Sequence, residues 1–331
     1  MNIVVDAMGG DYAPENIIAG VIDAIREEQL TVTLIGIEER VRAELKKYTY
    51  PSEQLQIVHA PEVVEMDDHA IASIRQKKNS SITLGINLLK EQPQKYDAFI
   101  SAGNTGAVVA AATLKLGMIS GVDRPAIGLV IPSIKGCSFM MDVGANTMPK
   151  AEHLLHQALL SRIYMKEVFN VVNPTVGLLN IGTEEGKGTG FEKEAHKLMA
   201  DQVENFIGNI EANEVYTGKC DCIICDGFVG NVVLKVSEGL METAGQLIKR
   251  EVKKDVVAML GAFFMKSRLK HIKKLVDYSE YGGAPLLGVN GLVMISHGRS
   301  SAKAIKNAIR STKREIEHNL LSKLTSEMAR K

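Results

Sequence analysis

The stretch YDAFISAGNTGAVVAAATLK, residues 96–115, carries the main signal for the fold. A short apolar run leads into Ser101, Gly103, Asn104 and Thr105, and a helical run of small residues follows. Hydroxyl, amide and backbone N–H donors at the start of a helix suit an anion. The stretch therefore predicts a strand, an anion-binding turn and a helix that packs closely on a sheet.

The same order of strand, turn and helix recurs along the chain. Short β-forming runs occupy 2–6, 31–36, 55–59, 126–131, 137–144, 175–182, 220–227 and 291–296, and amphipathic stretches occupy 14–29, 150–166 and 190–205. This alternation predicts a largely parallel sheet with helices on both faces, which is a three-layer α/β/α fold. Since no Pro- or Ser-rich linker divides the chain, we expect residues 1–331 to form a single catalytic domain.

The composition argues against several classes of protein. The chain has 39 acidic and 39 basic side chains in 331 residues, so no overall field attracts nucleic acid. The first residues lack the basic start and apolar stretch of a secretory signal, and no apolar run reaches the roughly 18 residues of a membrane span. We therefore expect a cytoplasmic protein with no nucleic-acid partner.

Three of the four cysteines, Cys220, Cys222 and Cys225, cluster in the run KCDCIICDG. Metal ligation is conceivable, but no second ligand pair at zinc-site spacing occurs in the chain. The pattern favours small residues packed in a buried strand. We predict no metal and no other cofactor.

Two further turns between a strand and a helix are rich in Gly, Asp and Asn. They contain the candidate residues Asp6, Gly9, Gly10, Asp11, Asp142 and Asn146. The first, DAMGGD, has a glycine pair that allows the backbone to approach a ligand closely. A plain turn in which Asp11 caps the next helix is the structural alternative.

The run NIGTEEGKG, residues 180–188, superficially resembles a P-loop. Three residues separate its first glycine from the Gly-Lys pair, where that motif needs four, and a glycine follows Lys187 in place of a hydroxyl residue. A nucleotide triphosphatase is therefore rejected. Lys187 in a glycine-rich loop still suits an anion, with Asn180 and Glu184 in the same candidate site; a solvated surface loop is the alternative.

Two turns complete the series of candidate sites. CDGFVGN places Asp226, Gly227 and Asn231 at the start of a helix, and GLVMISHG ends a strand at His297. A lone histidine is more often structural than catalytic, but His297 stands at a strand end beside Gly298 and a Ser-rich helix start. Both interpretations of His297 stay open.

None of these turns contains an obvious protein nucleophile. The chain has neither a G-x-S-x-G elbow nor a G-x-G-x-x-G run after its first strand. The turns offer anion sites and donors for an oxyanion. This combination favours a reaction in which the bound anion itself attacks the substrate.

The motifs DAMGGD, SAGNTGA, DVGAN, NIGTEEGKG, CDGFVGNVVLK and GGAPLLGVNGLVMISHG, in this order, resemble the bacterial phosphate acyltransferase (PlsX) family. The resemblance runs from Asp6 to about His297. It implies the fold of phosphotransacetylases and of isocitrate and isopropylmalate dehydrogenases, in a homodimer. It also implies transfer of a long-chain acyl group from acyl carrier protein to inorganic phosphate. The acyl phosphate would serve phospholipid synthesis at the membrane, beside a downstream glycerol-3-phosphate acyltransferase.

For that reaction we assign roles to the candidate residues. Phosphate is expected to be held by Ser101, Asn104, Thr105 and Lys187. The substrate is expected to be oriented, or its carbonyl polarised, by Asn146, Asn180 and Asn231, while His297 handles a proton. A phosphotransacetylase that uses an acyl coenzyme A thioester is the alternative. A decarboxylating dehydrogenase would need an acidic metal cluster, and a membrane scaffold would leave the polar turns unexplained.

Residues 249–278 predict a helical hairpin that projects from the core, with its break after Phe263. The apolar run at 256–265 is too short to span a membrane and is flanked by lysines and arginines, which suits contact with an anionic membrane surface. The expected membrane contacts are Val256, Met259, Leu260, Phe263 and Phe264. Contact with a second subunit or with an acidic carrier protein stays open.

Overall fold

The structure is a computed structural model that describes residues 1–276, 280 and 282–330. The strands are β1 (Asn2–Asp6), β2 (Thr31–Gly36), β3 (Leu55–His59), β4 (Ala98–Ser101), β5 (Ala126–Ser133), β6 (Gly136–Met141), β7 (Val176–Asn180), β8 (Phe206–Glu211), β9 (Cys222–Ile224), β10 (Ala284–Leu287) and β11 (Leu292–Ile295). The helices are α1 (Glu15–Glu27), α2 (Glu38–Leu45), α3 (Ala70–Gln76), α4 (Ser81–Glu91), α5 (Thr105–Lys115), α6 (Ala151–Phe169), α7 (Gly190–Gln202), α8 (Gly227–Val252), α9 (Val256–Val276), α10 (Ala302–Glu317) and α11 (Leu320–Met328).

One 11-stranded sheet runs through the described residues in the order β3-β2-β1-β4-β11-β10-β5-β6-β9-β7-β8. The direction of the strands changes near the middle of the sheet. Strand β10 is antiparallel to both β11 and β5, and β5 is antiparallel to β6. Strands β1 to β4 and β11 therefore run one way, and β6 to β9 run the other way. The carboxyl ends of these two sets lie at opposite ends of the sheet, measured along the strands.

Apolar cores lie on both faces of the sheet. In β1, Ile3 and Val5 belong to one core and Val4 to the other, because successive side chains of a strand point to opposite faces. Helices α1, α6 and α10 contribute to the first core, and α4 and α5 contribute to the second. This arrangement confirms the predicted α/β/α class.

The nine predicted strands all form, whereas the sequence pattern does not reveal β8 and β10. Within β8, Gly208 has a φ of +86°, and the register of β8 against β7 is irregular. Such an irregularity disturbs the alternation of apolar and polar residues that identifies a strand. Strand β10 contains Pro285, which cannot donate to a ladder and so weakens the strand signal.

The three clustered cysteines are buried in or beside β9. Burial raises the pKa of all three thiols, to about 12 for Cys220. Such neutral thiols behave as small apolar side chains, in agreement with the packing interpretation. Within the described ranges, no group of three or more His, Cys, Asp or Glu side chains could hold a metal ion.

Helices α8 and α9 differ from the predicted hairpin in their bounds. The turn lies at 253–255, and α9 continues through Phe263, where the break was expected. The first arm starts at Gly227, well before 249, and residues 277 and 278 of the predicted segment lie outside the described residues. None of the described helices is long and apolar enough to cross a membrane.

The buried carboxyl group of Glu315 in α10 predicts a pH-dependent stability. Its oxygen accepts a hydrogen bond from the Tyr164 hydroxyl at 3.0 Å, and burial raises its pKa from 4.5 to about 8. The folded protein therefore keeps a proton that the unfolded chain loses. Consequently this group makes the free energy of unfolding fall as the pH rises from about 4.5 to about 8.

We expect Glu315→Gln to remove this part of the pH dependence, because an amide has no proton to lose in this range. Denaturant unfolding at several pH values measures how the free energy of unfolding changes with pH. Glu317→Gln, on the exposed side of the same helix, is the control. An unchanged slope in Glu315→Gln would contradict the prediction.

Candidate active site

Three neighbouring strands, β1, β4 and β11, end in one group of loops, called here the first loop cluster. It contains Asp6, Gly9, Gly10, Asp11, Ser101, Gly103, Asn104, Thr105 and His297. Because these strands are parallel neighbours, residues distant in the chain meet at their carboxyl ends.

Asp6 is buried and joins the loops after β1 and β4. Its Oδ2 accepts a hydrogen bond from Ser101 Oγ at 2.7 Å, and that hydroxyl accepts one from the backbone N–H of Gly103 at 3.0 Å. Burial raises the pKa of Asp6, although the hydrogen bonds from Ser81, Ser101 and the backbone favour its ionised form. Asp6 and Ser101 thus set the shape of the loops.

The glycine pair allows the loops to touch. A Cβ atom on Gly9 would lie 2.6 Å from the backbone nitrogen of Gly103. Gly10 has a φ of +97°, and a Cβ atom there would lie 2.7 Å from the carbonyl oxygen of Gly298. That carbonyl accepts a hydrogen bond from the N–H of Asp11 at 2.8 Å. The close approach predicted for this pair is therefore made between loops of the protein itself.

Asn104 holds two parts of the cluster together. Its Oδ1 caps α5 by accepting a hydrogen bond from the N–H of Ala107 at 3.0 Å. Its Nδ2 donates to the carbonyl oxygens of Glu65, Met66 and Asp68 at 3.3, 3.1 and 3.0 Å. The side chain is thus used within the protein, and the exposed first turn of α5 at Thr105 keeps the anion-binding character of a helix N-terminus.

The loop after β6 is organised by Asp142. Its Oδ1 accepts from the N–H groups of Gly144 at 3.0 Å and Ala145 at 2.8 Å, and its Oδ2 accepts from the backbone and side-chain nitrogens of Asn146 at 2.8 and 2.9 Å. The amide of Asn146 also donates to the carbonyl oxygen of Pro125 at 2.6 Å. Burial raises the pKa of Asp142 against these hydrogen bonds. Both predicted site residues therefore hold the loop in place.

Helix α8 starts directly on this loop. Asp226 caps it by accepting from the N–H groups of Phe228 at 2.8 Å and Val229 at 3.0 Å. The N–H of Gly227 donates to the carbonyl oxygen of Asn146 at 2.8 Å. One turn later, a Cβ atom on Gly230 would lie 1.9 Å from the carbonyl oxygen of Asp142. The helix is thus pressed against the backbone of the loop.

The same helix then reaches the first loop cluster. Asn231 faces Gly144, because a Cβ atom on Gly144 would lie 4.0 Å from Cβ of Asn231. Lys235 follows four residues later on the same helix face, and its Nζ lies 3.3 Å from Nε2 of His297. Asn231, Lys235 and His297 therefore border one cleft, although β6 and β11 end at opposite ends of the sheet.

The hydrogen bonds of His297 define what the cleft can bind. The backbone N–H of Arg299 donates to Nδ1 at 3.1 Å, which places the proton of a neutral ring on Nε2. Nε2 then lies beside the ammonium group of Lys235, which also forms an ion pair with Glu238 Oε2 at 3.5 Å. The pKa of His297 is lowered mainly by partial burial and secondly by the charge of Lys235, and this favours the neutral ring. An anionic or carbonyl oxygen fits this point.

The loop after β7 is held by hydrogen bonds of its own. Nδ2 of Asn180 donates to the carbonyl oxygen of Lys187 at 3.2 Å, and the carbonyl oxygen of Glu184 accepts from Nδ2 of Asn209 at 2.9 Å. Lys187 Nζ lies 3.9 Å from Glu184 Oε2. Over the described ranges, no hydrogen bond or ion pair joins this loop to α8 or His297. Phosphate binding by Lys187 stays a prediction.

Two charged residues of the cleft have no role assigned from the sequence. The sequence does place Lys235 one turn after Asn231, within CDGFVGNVVLK. It gives no such sign for Arg299, whose Nε lies 3.5 Å from Oδ2 of Asp11 only through the folding of distant segments.

Comparisons with known proteins agree on family and fold. The family model described as "Fatty acid synthesis protein" matches residues 1–323. A phosphate acyltransferase from Dictyoglomus turgidum is 46% identical over 326 residues, covering 98% of this chain and 96% of the relative. One from Desulfitobacterium hafniense is 46% identical over 331 residues, covering 100% and 98%.

Solved structures show a similar fold at low identity. A phosphotransacetylase from Streptococcus pyogenes has a TM-score of 0.63 at 17% identity, covering 95% of this chain and 94% of that one. A branched-chain phosphotransacylase from Enterococcus faecalis has a TM-score of 0.59 at 12% identity, covering 96% and 100%. A 4-hydroxythreonine-4-phosphate dehydrogenase from Klebsiella pneumoniae has a TM-score of 0.54 at 11% identity, covering 94% and 98%. The predicted similarity of fold to phosphotransacetylases is confirmed, and a dehydrogenase shares the same fold class.

The environment of His297 predicts opposite effects of two substitutions. Lys235→Ala removes a positive charge that lowers the pKa of His297, so this pKa should rise. Glu238→Gln removes a negative charge that raises it, so the pKa should fall. NMR titration of the His297 ring, assigned by its loss in His297→Gln, measures both. Shifts in the same direction would show that these two charges do not control the ring.

Proposed function

The chain belongs to the phosphate acyltransferase (PlsX) family, and we propose that it transfers a long-chain fatty acyl group from acyl carrier protein to inorganic phosphate. Acyl transfer with phosphate follows from the family. The carrier protein, the chain length and the use of the product in phospholipid synthesis are the proposed part.

The proposed reaction needs no covalent intermediate on the protein. A phosphate oxygen forms a bond to the thioester carbonyl carbon, and the carbonyl oxygen becomes an oxyanion. The carbon–sulfur bond then breaks, the thiolate leaves with the electron pair and takes up a proton, and acyl phosphate remains. Phosphate is already anionic near neutral pH, so catalysis depends mainly on positioning and on stabilising the oxyanion.

The convergence of Lys235 and His297 is the observation that carries this proposal. Their nitrogen atoms lie 3.3 Å apart, so one oxygen atom placed beside them can accept a hydrogen bond from each. A neutral imidazole that donates from Nε2 can stabilise an oxyanion, and an ammonium group attracts phosphate. We therefore propose that His297 polarises the carbonyl, in addition to its predicted part in proton transfer, while Lys235 binds phosphate.

The remaining site residues take supporting roles in this proposal. The first turn of α5, at Thr105, and the amide of Asn231 face phosphate or the thioester, while Gly103 lies in the loop before α5. Asp6, Asp142 and Asp226 hold the loops and the start of α8 through their hydrogen bonds. Phosphate binding by Lys187, in the loop after β7, stays a prediction.

The decisive test supplies two thioesters. The protein is incubated with phosphate and either palmitoyl carrier protein or acetyl coenzyme A, and acyl phosphate is measured by phosphorus NMR. We expect phosphate-dependent palmitoyl phosphate from the carrier protein, reduced about 100-fold or more in His297→Ala, the loss found when one oxyanion donor is removed. Product from acetyl coenzyme A alone would identify a phosphotransacetylase. Unchanged turnover in His297→Ala would exclude the proposed role of the ring.

We further propose that the protein works in the cytoplasm as a homodimer and contacts the membrane through the tip of α8 and α9. Val256, Met259, Leu260, Phe263 and Phe264 are 71, 52, 55, 70 and 81% exposed, and basic residues precede and follow them. Exposed apolar side chains beside lysine and arginine suit an anionic lipid surface. A downstream acyltransferase that consumes the product would meet the enzyme at the membrane.

The membrane contact is tested by Leu260→Glu with Phe263→Glu. We expect the double variant to lose sedimentation with phosphatidylglycerol vesicles, because it places charge in the apolar contact. Ile134→Glu, at another exposed apolar side chain, is the control and should keep binding. Full binding by the double variant would refute the anchor. Loss of the dimer, measured by sedimentation velocity, would instead assign this face to the second subunit.

A further inference from the structure

An open surface depression of ≈ 680 Å³, called here the groove, lies along the exposed side of α3, beside the first loop cluster. Its lining residues are His69, Ala70, Ile71, Ala72, Arg75 and Gln76. The side chain of Ile71 is 57% exposed in the groove. Arg75 is exposed, and nothing in the described part of the chain forms a hydrogen bond or ion pair with its guanidinium group. The groove thus combines an apolar wall with an uncompensated cation.

The groove begins at the active-site cleft. The segment at 65–68 leads into α3, and the amide of Asn104 holds its backbone. Met66 lies against the residue after His297, since a Cβ atom on Gly298 would be 2.8 Å from Met66 Cε. Ala70 lies at the start of α3, and a Cβ atom on Gly106, in the first turn of α5, would lie 3.0 Å from the Cβ of Ala70. A ligand in the cleft could therefore continue past Met66 into the groove.

We propose that this groove binds the phosphopantetheine arm of the thioester substrate, an inference that rests on the proposed function. The arm carries a thioester at one end, amides and a dimethyl group along its length, and a phosphate ester at the other end. With the thioester carbonyl at His297, the apolar part lies on Met66 and Ile71. The phosphate ester then reaches Arg75, where a guanidinium group can donate two parallel hydrogen bonds.

The same arm occurs on acyl carrier proteins and on coenzyme A. A groove that recognises the arm therefore serves both kinds of thioester, and selection between them has to come from contacts outside it. Arg75 is a substrate-binding residue in this proposal, since it contacts the arm and is remote from the atoms that react.

The experiment separates the arm from the reaction by using thioethers, which cannot transfer an acyl group. Calorimetry measures the Kd of S-hexyl phosphopantetheine and of S-hexyl pantetheine, which lacks the phosphate. We expect Arg75→Ala to raise the Kd of S-hexyl phosphopantetheine about 10-fold, which corresponds to the lower end of the free energy of a hydrogen bond to a charged group. The Kd of S-hexyl pantetheine should stay unchanged. Ile71→Ser should weaken both ligands. Lys78→Ala, which removes an exposed cation outside the groove, is the matched control.

Several outcomes would overturn the inference. These are equal binding of the two thioethers to the natural protein, equal weakening of both by Arg75→Ala, or an effect of Lys78→Ala as large as that of Arg75→Ala. In the acyl-transfer assay, Arg75→Ala should raise KM for hexanoyl coenzyme A and for hexanoyl carrier protein alike. An effect on the carrier protein alone would assign Arg75 to a protein surface contact and reject the arm. Discrimination between the thioethers without any acyl transfer would reject the proposed function and keep the groove.

Discussion

The contact of Gly230 with the backbone of Asp142 is the constraint on which the site depends. Any Cβ atom at Gly230 would lie 1.9 Å from the Asp142 carbonyl oxygen, so α8 can approach the loop after β6 only with glycine there. Asp226 caps the helix at the same place. Since a helix is stiff, the contact at Gly230 fixes the position of Lys235, which lies five residues later and about 8 Å along the helix axis. The cleft between two oppositely directed halves of the sheet exists because one helix crosses from one to the other.

The polar residues of the loops divide into two groups with different physical tasks. The carboxylates of Asp6 and Asp142 are buried and accept hydrogen bonds from neighbouring loop groups, which offsets the cost of their burial. Lys235 and His297 instead border the cleft, with Nζ and Nε2 3.3 Å apart. The first group gives the loops one conformation. The second group keeps unused hydrogen-bonding capacity for a ligand, as electrostatic preorganisation requires.

A consistent picture of substrate binding follows from these positions. In the proposed reaction, phosphate and the thioester carbonyl meet beside α5, α8 and the loop after β11. In the proposed binding of the arm, the groove along α3 extends the cleft away from the reacting atoms. The exposed apolar tip of α8 and α9 is at the far end of the helix that carries Lys235. One helix therefore links the proposed catalytic cleft to the surface proposed to meet the membrane. The proposed long-chain product is poorly soluble in water, so its release beside a membrane suits this arrangement.

The sequence by itself determined the α/β/α class, nine of the strands and the glycine-rich turns, because hydrophobic period and turn chemistry are local properties. It did not reveal β10, nor the antiparallel pairing of β5 with β6 that sends β6 and β9 opposite to β4 and β11. Only the tertiary structure decided which turns meet: it brought Lys235 to His297 and Arg299 to Asp11, and it left Lys187 in a separate loop. It also decided that Asn104 and Asn146 serve the loops themselves. Such pairings depend on the order and direction of distant strands, which no local pattern contains.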